Sequence, residues 1–343
     1  MKSQKWNIKP TAEQKALLRL WFDAARLVYN KGVEHANDTG DTSLGGMRAA
    51  TGIDDNIWKR EAPKRLQDCI PYEIRDSALQ DLNKAAATLR AKARKRGEKG
   101  KHVKYKFRTR KSGTESITLR KRQLNCKSNR GDVWPALFGT THDRSAMATE
   151  RGKVLPSVFE CDTRLLHDMR TGAYYLCIPM PINRATTPET QGPVSIKDRV
   201  VSIDPGVRTF ATCYDPAGEL TEWGVDAGKQ LFELKKRADA VDRAANAKHG
   251  RQRTRTHRVA AKLRQRGRDL VNELHRKLAL WLCKEHQTIL LPEYQTQGMM
   301  KKKDKTVKRR ISRTTCGRMS GLSFYKFKQF LEHKAQELGS ELI

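Results

Sequence analysis

No two of the seven cysteines stand in a C-x-x-C pair, so the sequence offers neither a disulfide framework nor a zinc ribbon. Scattered as they are (Cys69, Cys126, Cys161, Cys177, Cys213, Cys283 and Cys316), they read as small buried hydrophobes. No apolar run approaches the ~18 residues a membrane span needs. The opening MKSQKWNIKPTAEQ has no apolar signal segment, which predicts an intracellular protein. Internal repeats are absent. Acid is scarce as well: 38 Asp and Glu stand against 69 Lys and Arg, a formal net charge of +31 over 343 residues. Such a charge repels itself unless a polyanion compensates it. The basic runs have no amphipathic anchor helix beside them, so the expected partner is nucleic acid and not a membrane surface.

The length allows two or three domains. A short strand at Trp6 to Lys9 precedes a helix opened by Pro10-Thr11, with Thr11 and Gln14 in a capping-box arrangement. Leu17, Leu20, Trp21, Ala24, Leu27 and Val28 give that helix an apolar face, so Trp21, Phe22 and Tyr29 read as core. Residues 38–57 are polar and Gly-rich, which predicts a loop. A second long helix follows from Ile70, with Ile74, Ala78, Leu82 and Ala85 on one face. Between Leu89 and Lys111 stand twelve Lys or Arg and one acid. That run ends in HVKYKFRTRK, where Lys104, Lys106, Arg108 and Arg110 alternate with Tyr105 and Phe107. At strand period the charges share one face, which predicts a phosphate-contacting strand. A solvated charged face is the plainer alternative.

Residues 116–182 contain the short β-prone runs SITLRKRQLNC, VLPSVFECD and AYYLCIPMPI, a pattern for a small barrel or sandwich. Pro181 to Pro193 reads as a linker. Beyond it, RVVSIDPGVRTF climbs through Val200, Val201 and Ile203 to Asp204 and turns at Pro205-Gly206. A second strand leaves at once, DPAG makes a hairpin turn, and ELTEWG supplies a third strand. From about Lys229 to Glu285 the spacing predicts two antiparallel helices. The tip near Gly250 is cationic, with nine Lys or Arg between Lys248 and Arg268 and no acid. TILLPE then reads as a buried strand delivering Glu293, MMKKKDKTVKRRISR as a basic loop, and a closing helix begins near Ser323.

Three consecutive strands, a helical segment and another strand form the start of an RNase H-like fold. There, acids on adjacent strands bind the divalent ions that stabilise both the attacking and the leaving oxygen of a phosphodiester, two Mg²⁺ standing roughly 4 Å apart. Such hard cations want oxygen ligands, and bare carboxylates supply them. Gly206, lacking a side chain, would let a phosphate approach Asp204. Taken alone, Asp204 reads equally as the first residue of an Asp-Pro-Gly turn, and Glu293 is weaker still.

VVSIDPGVRTFATCYDP resembles the first RuvC motif of the transposon-encoded TnpB nucleases and their Fanzor relatives, and ILLPEYQTQGMM resembles the second. KPTAEQKALLRLWFDAARLVYNKGVE is similar to their N-terminal segment, and GRMSGLSFYKFKQFLEHKAQELG to the helix after the second motif. IPYEIRDSALQDL leans towards Fanzor. The resemblance covers most of the chain, most weakly over residues 120–180. It implies an α+β multidomain protein. A β-barrel wedge domain (1–9 and 103–190) would hold an inserted helical recognition domain (10–102), and a RuvC-like nuclease domain (196–343) would follow. Asp204 and Glu293 fall on the family's first and second catalytic, metal-binding carboxylates. The basic residues expected on nucleic acid are Lys104, Lys106, Arg108, Arg110, Arg251, Arg253, Arg255, Lys301, Lys302 and Lys303. The implied partners are a guide RNA of the omega type and double-stranded target DNA, and the implied cofactor is Mg²⁺ or Mn²⁺.

The family's C-x-x-C zinc element and third RuvC motif have no match here, so the resemblance places Zn²⁺ and the last catalytic Asp outside these residues. With one of three ligands lost, metal binding and cleavage by these residues alone are expected to be weak. A non-cleaving RNA-guided DNA-binding protein, or an RNase H-like transposase or resolvase acting without RNA, are the alternatives. A ribosomal-type RNA binder would explain the charge but not the two acids. Localisation is expected to be nuclear for a eukaryotic or viral Fanzor-like protein and cytoplasmic for a prokaryotic one. KKKDKTVKRR serves equally as an import signal or a nucleic-acid-facing loop.

Overall fold

The computed structural model describes residues 2–67, 70–97, 103–110, 113–125, 135–138, 148–149, 155–156, 158–181, 199–300 and 311–343. The chain divides into two compact units, Met1–Pro181 and Ile182–Ile343. The expected linker lies almost wholly outside the described residues, as do Lys301, Lys302 and Lys303. Among the described residues no helix is long and apolar enough to cross a membrane.

Unit one opens with β1 (Lys2–Lys9) and α1 (Ala12–Thr39). The capping box is formed: Thr11 Oγ1 accepts from Gln14 N–H at 3.2 Å, and Gln14 Oε1 accepts from Thr11 N–H at 2.9 Å. Leu18, Trp21, Phe22, Val28 and Tyr29 are buried along α1. The stretch expected as loop holds two helices, α2 (Leu44–Thr51) and α3 (Asp55–Glu61). Ser43 and Asp54 cap them through their side chains, and left-handed Gly52 (φ 60°) ends α2. Burial of Met47, Ile53 and Trp58 overrides the loop-like composition. The second long helix is α4 (Tyr72–Lys95), which packs on α1. Its Arg75 is buried, ion-paired with Asp55 and 5.0 Å from the Trp58 ring.

After β2 (Thr114–Leu119) come two single turns, α5 (Lys121–Leu124) and α6 (Pro135–Phe138), then β3 (Ala148–Thr149), β4 (Thr163–Asp168) and β5 (Ala173–Met180). They form one antiparallel sheet in the order β2-β4-β5-β1-β3. Among the described residues no pairing joins its edges, β2 and β3, and no strand forms within the described part of VLPSVFECD. Ile8, Ile117, Leu165 and Leu176 from the sheet share one core with Leu18, Ile74, Leu79 and Leu82 from the helices. The helices expected as an inserted recognition domain therefore pack directly on the sheet expected as the wedge.

Residues 103–109 form no strand among the described residues, which corrects the expected β-strand. Two asparagines on α1, two helical turns apart, hold them instead. Asn37 donates from Nδ2 to the Tyr105 carbonyl at 3.1 Å and accepts from its N–H at 2.8 Å. Asn30 does the same for Arg108, at 3.0 and 2.8 Å. The alternation places Tyr105 in the core, yet leaves Phe107 55% exposed.

Unit two carries a mixed sheet of β6 (Val200–Pro205), β7 (Ala211–Tyr214), β8 (Leu220–Trp223), β9 (Thr288–Leu290) and β10 (Glu341–Leu342), ordered β10-β9-β6-β7-β8. The first three make an antiparallel meander, and Gly218 N–H closes the DPAG turn on the Asp215 carbonyl at 2.9 Å. β9 returns parallel to β6, with Val200 opposite Thr288 and Ser202 opposite Leu290. The crossover is the helical pair α7 (Ala227–Asn246) and α8 (Gly250–Glu285), turning at residues 247–249. After α9 (Thr296–Met300), α10 (Arg313–Leu322) and α11 (Phe324–Leu338) close the unit. Val201, Ile203, Leu278, Leu282, Ile289 and Leu331 form its core, while Leu270, expected on the apolar face, is 41% exposed.

Candidate active site

Strand alternation decides where Asp204 points. Val201 and Ile203 are in the core, so Asp204 faces the opposite side of β6 and is exposed. Glu293, exposed as well, stands three residues past Leu290, the last residue of β9, after Pro292 has turned the chain. The parallel pairing thus sends both chains out of the sheet at the same end. Pro205, Leu291, Pro292, Glu293 and Tyr294 line a cleft of about 660 Å³ there, with Phe324 and Lys328 of α11 opposite. Asp204 lies next to Pro205 at its edge. Burial raises the pKa of Tyr294, and the negative charge of Asp204 raises it further, which places that carboxylate within electrostatic reach of the phenol.

Neither carboxylate forms an ion pair with a described cation, in a chain where most described Asp and Glu of unit one do. Two exposed, unpaired carboxylates are hard oxygen donors with open coordination, the type Mg²⁺ uses together with water and substrate phosphate. Among the described residues no three His, Cys, Asp or Glu side chains gather as a metal-binding group. Glu222 lies on the same sheet face, through the row Asp204, Thr212, Glu222, but accepts a hydrogen bond from Thr209 at 3.2 Å.

Gly206 has a structural duty besides the one expected. A Cβ there would sit 2.6 Å from the Thr209 carbonyl oxygen, because the turn is closed by Gly206 N–H on the Phe210 carbonyl at 3.2 Å. The glycine is required by the turn itself, before any phosphate is considered.

Of the basic residues expected on nucleic acid, Lys104 and Lys106 are exposed and have no ion pair among the described residues. Arg108 and Arg110 are engaged within the fold. The Arg108 guanidinium lies 3.8 Å from the Tyr29 ring centre and 3.2 Å from Asp81, and Arg110 binds Asp23 at 2.6 Å. Burial pushes the Asp23 carboxyl up, but the hydrogen bonds from Arg110 and Arg26 outweigh it and hold its pKa below the usual value. Arg251, Arg253 and Arg255 are all exposed on the first turns of α8. Three residues escaped the reading of the sequence: Tyr294, Tyr325 and Lys328. Only the position of Tyr294, directly after Glu293, could have signalled its role.

Residues 185–303 match the model of a family described as "Probable transposase" (OrfB_IS605), and residues 1–39 match the helix-turn-helix domain of the same group. "Putative transposase A625R" of Paramecium bursaria Chlorella virus 1 is 25% identical over 99% of this chain and 74% of its own length. "TnpB-like protein L79" and "TnpB-like protein L770" of Acanthamoeba polyphaga mimivirus are 22% and 20% identical over 99% of this chain. Together these matches support a TnpB-family protein. The chain spans 64% of the length of each of those two mimivirus TnpB-like relatives. A chain of the cryo-EM Cas12f1–sgRNA–target DNA complex aligns with all of this chain and 84% of itself, at 12% identity and a TM-score of 0.29, a likeness too slight to carry an inference.

Proposed function

We propose that this TnpB-family chain is an RNA-guided DNA endonuclease of the RuvC type, with Asp204 and Glu293 as its catalytic carboxylates. One observation carries the reading: two carboxylates from strands paired in parallel reach one end of a sheet, beside a cleft, and neither forms an ion pair with a described cation. The strand order of unit two, a meander followed by a parallel return, is that of an RNase H-like sheet. The net charge of +31 supports RNA and DNA as partners.

Asp204 and Glu293 would hold Mg²⁺ or Mn²⁺, which when bound stabilises the charge developing on the attacking and leaving oxygens of a phosphodiester. The side chains do the rest. Two like charges at one cleft keep a bare phosphate away, so substrate binding and cation binding are coupled. The Tyr294 phenol, its pKa raised by burial and then by Asp204, stays protonated across the working pH range and so can offer its proton to a substrate oxygen. Lys328 brings a positive charge to the same cleft. A non-cleaving, RNA-guided DNA-binding protein is the second reading, favoured by the lack of a third ligand among the described residues.

The test is to purify the chain, sequence the RNA that accompanies it, and supply the DNA that RNA specifies together with Mg²⁺. A discrete RNA and a slowly cut target are expected, with Asp204→Ala abolishing that cleavage at unchanged RNA binding. Discrete RNA and target binding without cleavage would select the second reading. Cleavage undiminished in Asp204→Ala would place the site elsewhere.

A further inference from the structure

The cleft beside the carboxylates has an aromatic side that phosphodiester hydrolysis alone does not require. It is built on the corner where α10 meets α11. Ser323 sits there in the left-handed region (φ 53°), a strained conformation for a residue with a side chain. The corner is pinned on both flanks. His275, fully buried in α8, donates from Nε2 to the Leu322 carbonyl at 2.9 Å. Phe324 is buried, stacked on Phe210 at 5.0 Å between ring centres and against Tyr294 at 4.8 Å. The next residue, Tyr325, is 73% exposed and lines the cleft, and Lys328 follows one turn later on the same lining. Lys328 forms no ion pair with a described residue.

An aromatic residue left in water on a backbone this firmly held loses little entropy when a flat partner covers it. A duplex keeps its base faces inside its own stack, whereas an unpaired strand offers every base to an aromatic ring and its phosphates to a cation. We propose that this side of the cleft is a nucleobase subsite. Tyr325 stacks on one unpaired base of the strand whose phosphate faces Asp204 and Glu293, and Lys328 contacts the adjoining phosphate. The proposal rests on the nucleolytic reading of those carboxylates and adds to it the residues that grip the strand. The cleft volume of about 660 Å³ falls within the range of sites that enclose a small ligand.

The probe is a single-stranded DNA oligonucleotide carrying 2-aminopurine, whose fluorescence is quenched by stacking, titrated with the full chain in Ca²⁺. The wild type is expected to quench it. Tyr325→Ala is expected to lose the quenching and about 10-fold in affinity, Tyr325→Trp to restore both, and Lys328→Gln to weaken affinity while keeping the quench. Because Tyr325 is exposed, thermal melting of its variants should match the wild type, which separates a lost subsite from a lost fold. Quenching by Tyr325→Ala equal to the wild type, or equal quenching of the matched duplex, overturns the subsite. Cleavage by Asp204→Ala decides the nucleolytic reading separately, so either idea can fail alone.

Discussion

The segment at residues 103–110 is held by two side-chain amides, and releasing them should open it measurably. Each amide makes a reciprocal pair of hydrogen bonds with the backbone, Asn30 to Arg108 and Asn37 to Tyr105. An intramolecular hydrogen bond contributes a net ~1 kcal/mol, and more where its loss strands a buried partner. Asn30 is half-buried and Asn37 exposed, so Asn30→Ala should cost about 2 kcal/mol and Asn37→Ala about 1 kcal/mol. Trypsin reads the opening directly, because Lys104, Lys106, Arg108 and Arg110 all lie in the segment. When reclosure outpaces cleavage, the rate follows the open population, so Asn30→Ala should be cut about 30-fold faster and the double variant about 100-fold faster. The sum falls short of full additivity because both amides restrain one short segment. Limited proteolysis with peptide mapping, beside a urea unfolding curve, distinguishes local opening from global loss. Unchanged cutting at these sites in the double variant would refute the clamp and show that Tyr105 burial alone holds the segment.

The two halves of the basic segment should respond differently to neutralisation. Lys104→Gln with Lys106→Gln should flatten the log–log salt dependence of nucleic-acid binding by roughly one unit per lost phosphate contact, whereas Arg108→Gln should lower the unfolding midpoint. Equal slopes in wild type and the double Lys variant would mark both lysines as solvated surface. His275 should give stability a pH window. Burial, against the opposing hydrogen bond to Leu322, lowers its pKa from 6.5 to about 4. The unfolded chain therefore binds this proton first, so the contribution is complete above pH 6.5 and is lost as pH falls towards about 4, on the order of 3 kcal/mol. Urea unfolding at pH 7, 5 and 4 should show that loss in the wild type and a smaller one in His275→Gln. Identical losses would assign it to other groups.

Legibility followed the range of the interactions involved. The capping box at Thr11 and Gln14, the DPAG turn and the α7–α8 hairpin depend on neighbours within a few residues or on one periodicity, and all were readable. The helices at 44–61 were hidden because Gly45-Gly46 and polar neighbours look like loop. Only burial of Met47 and Trp58 in the core of unit one makes helix the better state. Alternation at 103–110 correctly put Tyr105 inside, but a period of two cannot tell a sheet ladder from side-chain amides. Nor could it foresee that Arg108 and Arg110 answer Asp81 and Asp23, acids far away in the chain. At the site, Asp204 and Glu293 stood out by motif and strand position. Tyr325 did not, since its importance comes from a corner pinned by His275 and Phe210.

The parallel return of β9 also sets a kinetic order within unit two. Its ladder joins Ser202 to Leu290, and closing an unstructured loop of that length costs about 4 kcal/mol of chain entropy. The helical hairpin removes most of that cost, since α7 and α8 fold on local contacts and carry the far strand back towards the near one. The strands that carry Asp204 and lead to Glu293 therefore come together only after the hairpin has closed. A nascent chain that has made Asp204 but not yet packed α8 carries half of the proposed site, so any nucleolytic power of unit two would arise late in its folding.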